Sequence, residues 1–298
     1  MDCLYNSIKY FYNFFVSIEN EDMTITNPSY LTDPQDPQDP AYPTDPQDPA
    51  NSGNSTDLAD LEVHKGQMIN EVQDVHIHDI DTIVKNMNLK KWDPNELKTH
   101  GGSTCLIIGK RAVGKSTLAI HLADQLSLED TKVLAFSAVG KEVDYVLNDN
   151  TSFYCEYESS ILADHINEIW ENKNKHESVV LLDDVFYSAK IPENDKYFLW
   201  ILLNGRHLKV HLIMTQQCPM GSSPRMRSNT DYVFIFRESN ENIRRKLYDY
   251  YAGVFPTYEL FSKVLTKITD NYGCMVIDNT RHSDKLEDQI FWYKAPRF

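Results

Sequence analysis

Nine consecutive residues, GKRAVGKST from Gly109 to Thr117, have the composition of a loop that grips phosphate. Gly109, Gly114, Lys115 and Ser116 fill the pattern G-x-x-x-x-G-K-[ST]. Glycines let the backbone turn tightly and aim N–H groups inward. Lys115 brings a positive charge to the β/γ-phosphates, and the Ser116 hydroxyl can ligate Mg²⁺. Lys110, Arg111, Ala112 and Val113 complete the wrap, and Thr117 follows it. A second stretch, SVVLLDDVF from Ser178 to Phe186, ends four apolar residues in Asp183 and Asp184. One carboxylate there can hold the metal and the next can polarise an attacking water; Asp183 takes the first role and Asp184 the second. A third, VHLIMTQQCP, ends in Thr215, Gln216 and Gln217. A glutamine can donate to phosphate and accept from water at once, so Gln216 or Gln217 is the expected γ-phosphate sensor. Arg206, in NGRHLKV, could stabilise transition-state charge from a neighbouring subunit; Arg225 and Arg227 are rivals for that task.

These side chains need elements to position them. STCLIIG precedes the glycine loop as an apolar strand. STLAIHLADQLS follows it, with Leu118, Ala119, Leu122, Ala123 and Leu126 at helical spacing. Strand, glycine turn and helix aim a helix N-terminus at an anion. The rhythm then continues. KVLAFSA (Lys132–Ala138), SFYCEY (Ser152–Tyr157), SVVLLDD, KVHLIMTQQ and DYVFIF read as strands, and YGCMVIDN as the final one. KEVDYVLN, SSILADHINEIWENKNK, YFLWILLNGRHL, ESNENIRRKLYDYY and PTYELFSKVLTKITD read as helices between and after them. Buried strands alternating with helices predict an α/β fold with a mostly parallel sheet covered on both faces. A strand between the loop motif and the Asp183-Asp184 motif points to the additional-strand division of P-loop NTPases. There the water-activating acid follows the metal aspartate.

The chain has 298 residues, 41% hydrophobic content and a formal net charge of −15, enough for one large domain and a tail. The acidity is uneven: residues 1–100 carry 6 Lys/Arg against 18 Asp/Glu, and 101–298 carry 23 against 26. The overall charge therefore does not exclude a nucleic-acid partner for the later two thirds. Asn204 to Tyr250 is modestly basic, with 8 basic and 4 acidic side chains. Five cysteines, at 3, 105, 155, 218 and 274, are odd in number and lack metal-ligand spacing, which predicts reduced thiols and an intracellular setting. His76 and His78 lack the further ligands that would complete a metal site.

Four segments result. Residues 1–24 are an aromatic N-terminal segment. LYNSIKYFYNFFVSI, within it, is too short and polar to span a membrane and lacks a basic start or cleavage site. No signal peptide and no transmembrane helix are expected, and an interfacial or partner-binding helix is an alternative. Residues 25–60 contain DPQDPQDPAYPTDPQDPA, a disordered Asp-Pro-Gln spacer. Residues 61–100 form an addition to the core, with a strand at Asp74–Ile80 and a helix start at Asp93 or Pro94. Residues 101–298 form the P-loop core.

The ordered set GKRAVGKST, VVLLDDV, LLNGRHLKVHLIMTQQ and SPRMRSNTDYVFIF resembles the poxvirus-like genome-packaging ATPases of large DNA viruses, within the FtsK/HerA superfamily. The resemblance covers roughly two thirds of the chain and leaves residues 1–60 unmatched. It implies a RecA-like core, ATP with Mg²⁺ bound through Ser116 and Asp183, and a homo-oligomeric ring of five or six subunits that lend one another arginines. It also implies double-stranded DNA as partner, moved into a capsid, and a place in the virion or in a viral factory of the host cytoplasm. The N-terminal segment would serve a capsid or virion-membrane partner. Three other readings compete: a P-loop nucleoside or nucleotide kinase, a non-catalytic NTP-gated scaffold, and a ring helicase.

Overall fold

A computed structural model describes residues 82 and 84–296, apart from 139, 172–175 and 187–193. The aromatic segment, the Asp-Pro-Gln spacer, the strand expected at Asp74–Ile80 and the His76/His78 pair lie outside the described residues.

Eight strands form a single sheet: β1 (Thr104–Ile108), β2 (Lys132–Ser137), β3 (Thr151–Tyr154), β4 (Ser178–Asp183), β5 (Val210–Gln216), β6 (Tyr232–Phe236), β7 (Cys274–Asp278) and β8 (Ile290–Tyr293). Their order is β3-β2-β4-β5-β1-β6-β7-β8. The first six run parallel, while β7 and β8 are antiparallel additions at one edge. The strand order confirms the additional-strand, RecA-like P-loop architecture, though through a different strand from the one expected. β2 does fall between the two motifs in sequence. In space, however, it lies outboard of β4, and it is β5 that separates β1 from β4. β8 is a further departure, since Cys274–Asp278 is not the last strand. Ile290–Tyr293 has only four residues, two of them half-buried, and gives too short an apolar run to stand out.

The sheet is buried on both faces, and strand alternation assigns side chains to two cores. Leu106 and Ile108 of β1 join one apolar cluster with Leu134, Leu182 and Ile235. Cys105 and Ile107 join the other with Val133, Leu181 and Phe234. Helix α1 (Lys115–Leu126) covers the second face, with Leu118, Ala119, Leu122, Ala123 and Leu126 all buried, the stripe expected from their spacing. Short α2 (Glu142–Tyr145) adds Tyr145 to that face. The first face is covered by α3 (Ser159–Glu171), α4 (Lys196–Asn204), α6 (Glu241–Tyr251) and α7 (Tyr258–Ile268). Two further short helices among the described residues are α5 (Pro224–Ser228) and α8 (Leu286–Gln289). Each fully buried Leu or Ile contributes about 1.5–3 kcal/mol relative to exposure, so this two-sided core holds the loops at the strand ends rigidly. Cys105 and Cys274 are buried free thiols in β1 and β7, and Cys155 and Cys218 are exposed free thiols.

Ahead of the core, a 3₁₀ turn spans Pro94–His100, capped by Asp93, whose side chain accepts from the Asn95 N–H. Trp92 is 2% exposed, packs edge-on against Tyr232, Phe234 and Tyr293, and its backbone N–H donates to the Trp292 carbonyl at 2.9 Å.

Candidate phosphate-binding site and its acid pair

Parallel β1, β5 and β4 all end at one edge of the sheet, where ligands of such sheets bind. β1 delivers the glycine loop there. Gly109 must be glycine because a Cβ would meet Val113 Cγ2 at 2.8 Å and Phe236 Cβ at 2.9 Å. Gly114 must be glycine for another reason: its φ of +104° lies in the left-handed region. That residue is also the N-cap of α1, so the helix axis starts inside the loop. The Gly109 N–H bonds to the Gln216 carbonyl at 3.1 Å, which pins the loop entrance to β5. Lys115 is 7% exposed, and its Nζ donates to the Lys110 carbonyl at 3.1 Å across the loop. Burial lowers its pKa, opposed by the charges of Asp184 and Asp183 and reinforced by Arg111.

The acid pair splits its roles by one residue of strand. Asp183, the last residue of β4, is fully buried. Its Oδ1 accepts from the Thr215 hydroxyl at 2.6 Å and its Oδ2 from the Tyr145 hydroxyl at 2.6 Å. Burial and then the Asp183 carboxylate push the Tyr145 phenol pKa up, so it donates at neutral pH. Asp184 leaves the strand with φ +56°, a left-handed conformation that costs a non-glycine residue on the order of 1 kcal/mol. Its N–H donates to Thr215 Oγ1 at 2.9 Å. Thr215 therefore bridges both aspartates and holds the turn.

The two glutamines separate for the same reason that strand neighbours always do. Gln217 Nε2 donates to both Asp184 carboxylate oxygens, at 3.0 and 2.9 Å. Gln216 is buried and turns away: its Oε1 accepts from the Ser222 hydroxyl at 2.6 Å, and its amide faces Met226. Arg206 is not brought to this cluster within its own chain. It precedes β5, at the opposite edge of the sheet, and pairs with Asp231. Arg227 donates to the Ser222 carbonyl and lies 4.4 Å from the centre of the Tyr250 ring.

The residues present fit Mg²⁺. Its preferred ligands are hard oxygens, often one carboxylate with a hydroxyl, waters and substrate phosphates. Ser116 lies in the first turn of α1, directly after the loop, and each Asp183 oxygen keeps a lone pair beyond the one its hydroxyl partner uses. Among the described residues no group of three or more His, Cys, Asp or Glu side chains forms a metal site. A cleft of about 810 Å³ opens over the loop, lined by residues 111, 112 and 114–117, Asp184, Phe236, Tyr272 and 294–296. That volume suits a small-molecule ligand. Tyr145, Thr215, Phe236, Tyr272 and the 294–296 segment are site residues that motif reading did not assign. Only Thr215 carried a signal, its place at the end of β5.

No family model matches the chain. Protein 088R of Invertebrate iridescent virus 3 is 35% identical over 238 residues, covering 76% of this chain and 88% of that protein. Protein 015R of Frog virus 3 is 33% identical over 224 residues, covering 72% of this chain and 69% of that protein. Protein L437 of Acanthamoeba polyphaga mimivirus is 39% identical over 117 residues, 39% of this chain and 41% of that protein. Among solved structures, the genome packaging NTPase B204 of Sulfolobus turreted icosahedral virus 2 with AMPPCP is 16% identical, with TM-score 0.49, over 66% of this chain and 99% of that one. Those last values are too low to argue function, and the strand order establishes the architecture without them. No described helix is long and apolar enough to cross a membrane. The chain belongs to the large-DNA-virus protein family that includes 088R of Invertebrate iridescent virus 3, and it carries the motif set of the poxvirus-like genome-packaging ATPases.

Proposed function

We propose that the chain is a Mg²⁺-dependent ATPase that drives double-stranded viral DNA into a capsid as a ring of five or six subunits. The observation that carries the hydrolytic part is the Thr215 bridge. It sets a buried carboxylate, Asp183, beside a second carboxylate, Asp184, whose orientation Gln217 fixes across the cleft from Lys115. The backbone amides of Gly109–Gly114 and the N-terminus of α1 bind the phosphates, and Lys115 adds its charge. Ser116 and Asp183 hold Mg²⁺, which neutralises charge on the β/γ-oxygens when bound. Asp184 accepts a proton from the attacking water, and Gln217 keeps its carboxylate aimed. Gln216 ties the end of β5 to Ser222, so a shift at the phosphate is passed to the loop carrying Arg225 and Arg227. Arg206, Arg225 or Arg227 serves a neighbouring subunit's phosphate. Lys209, Arg225 and Arg227 are the candidates for gripping DNA phosphates. The DNA, ring and capsid parts rest on the motif resemblance and on a family found in viruses. A virion or viral-factory location and a capsid or membrane tether through the N-terminal segment follow from the same resemblance.

ATP turnover with and without long double-stranded DNA tests this reading. Turnover should rise with DNA and fall about a thousandfold in Lys115→Ala, the scale of losing a principal charge stabiliser. Equal turnover in wild type and Lys115→Ala refutes the site. Phosphate transfer seen only with an added nucleoside favours the kinase, and binding without turnover favours the gated scaffold.

A further inference from the structure

The cleft has a second wall that the phosphate chemistry does not use. It is built from Phe236 at the end of β6, the turn before β7, and the chain after β8. The turn runs Asp270-Asn271-Tyr272-Gly273 and closes with the Gly273 N–H on the Asp270 carbonyl at 3.0 Å. Asn271 has φ +51° and Tyr272 φ +63°, the signature of a type I′ turn with both central residues left-handed. Asparagine suits the first position. The second ordinarily takes glycine, and a bulky aromatic there is an outlier. Tyr272 is 56% exposed. It stands beside the last glycine of the phosphate loop: a Cβ on Gly114 would lie 3.8 Å from Tyr272 Cδ1 and 3.6 Å from Phe236 Cε1. Arg237 and Asp270 pair at 2.8 Å and clamp the turn to the end of β6. Lys294, Ala295 and Pro296, which follow Tyr293 and so run beside Gly273 on the β7–β8 pair, line the same wall. Left-handed strain in a non-glycine residue persists where something gains from the position it imposes.

We propose that Tyr272 is the base-stacking residue of the nucleotide site, holding a purine ring against its own face while the glycine loop holds the phosphates. The proposal rests on the nucleotide reading above and adds to it the group that recognises the base. The physical warrant is that stacking on an aromatic face is sequence-tolerant, favours large ring systems and is lost on truncation.

The test compares ATP with inorganic tripolyphosphate as ligands of the full-length chain. Tyr272→Ala should weaken ATP binding about tenfold or more and leave tripolyphosphate binding unchanged. Tyr272→Phe should keep wild-type affinity for both. Tyr272→Gly separates folding from binding: it relieves the left-handed strain, so its Tm should match or exceed wild type while ATP affinity falls as in Tyr272→Ala. Equal loss of both ligands in Tyr272→Gly would mean that the turn supports the loop structurally, which overturns base stacking. So would unchanged ATP affinity in Tyr272→Ala. Wild-type protein that binds tripolyphosphate no better than Lys115→Ala does would remove the phosphate site itself, and the base wall with it.

Discussion

The two edges of the sheet gather charge in similar amounts and use it in opposite ways. At the edge where β4 and β5 end, Asp183 is fully buried and hydrogen-bonded by two neutral hydroxyls, those of Thr215 and Tyr145. Where β7 ends, at the opposite edge because that strand is antiparallel, Asp278 is equally buried. It accepts from Arg281 Nε at 2.8 Å and from Thr280 at 2.9 and 2.6 Å, and Arg281 also reaches Glu96 at 3.0 Å. Arg206 and Asp231 add a second pair there, with Asp231 also accepting from the Thr104 N–H at 2.8 Å. A buried carboxylate needs a cation, since desolvation costs several kcal/mol per ion. Asp278 carries its cation in the fold. Asp183 is oriented by neutral donors and shares its field with the Lys115 ammonium, which suits the metal-holding role proposed for it. Ala112, Gly114, Asp184 and Tyr272, all in the left-handed region, line the cleft over the loop, and Gly101 and Lys209 take the same conformation at the opposite edge.

The contrast can be broken most directly by the same substitution at each edge. Asp183→Asn should reduce turnover about a thousandfold, roughly 4 kcal/mol in the barrier, with Tm little changed. Asp278→Asn should destabilise the fold by about 3 kcal/mol, because Arg281 loses its buried carboxylate partner and keeps only Glu96, while nucleotide affinity persists. Thermal melts and turnover on both variants decide it; a reversal of the two patterns would dissolve the distinction.

Acid should sharpen it next. His211, buried near the start of β5, accepts the Ser103 N–H on Nδ1 at 3.2 Å, and its Nε2 lies 3.8 Å from Glu177. Burial, aided by Lys98, lowers its pKa to about 4. A depressed histidine stabilises the fold fully above pH 6.5 and loses that contribution as pH falls toward 4, up to about 3 kcal/mol. Denaturant midpoints should therefore drop across that window, and His211→Asn should flatten the drop.

The smallest effect concerns Arg206. Arg206→Ala should cost about 1 kcal/mol of stability, since its guanidinium is half exposed and Asp231 keeps its backbone partner. If Arg206 acts on a neighbour's phosphate, rings mixing Arg206→Ala with Asp184→Ala subunits should regain turnover that neither variant has alone. Mixed rings that never regain it would leave the pairing with Asp231 as its role.

Linear pattern alone located the glycine loop and the Asp183-Asp184 pair as candidates, and it found the glutamine-ended strand and the helical stripe of α1. Each is a short-range feature, with glycines where φ or close approach demands them and apolar residues at helical spacing or in strand runs. Tertiary structure decided the rest, because the answers depend on which segments meet. Gln217 faces Asp184 and Gln216 does not, since β5 lies between β1 and β4 and its alternation sends neighbours to opposite sides. Tyr145 reaches Asp183 across 38 positions, and Tyr272 reaches Gly114 from much farther along the chain. No periodicity marks such residues. Their place follows from strand order and from a type I′ turn whose strain only the folded backbone reveals.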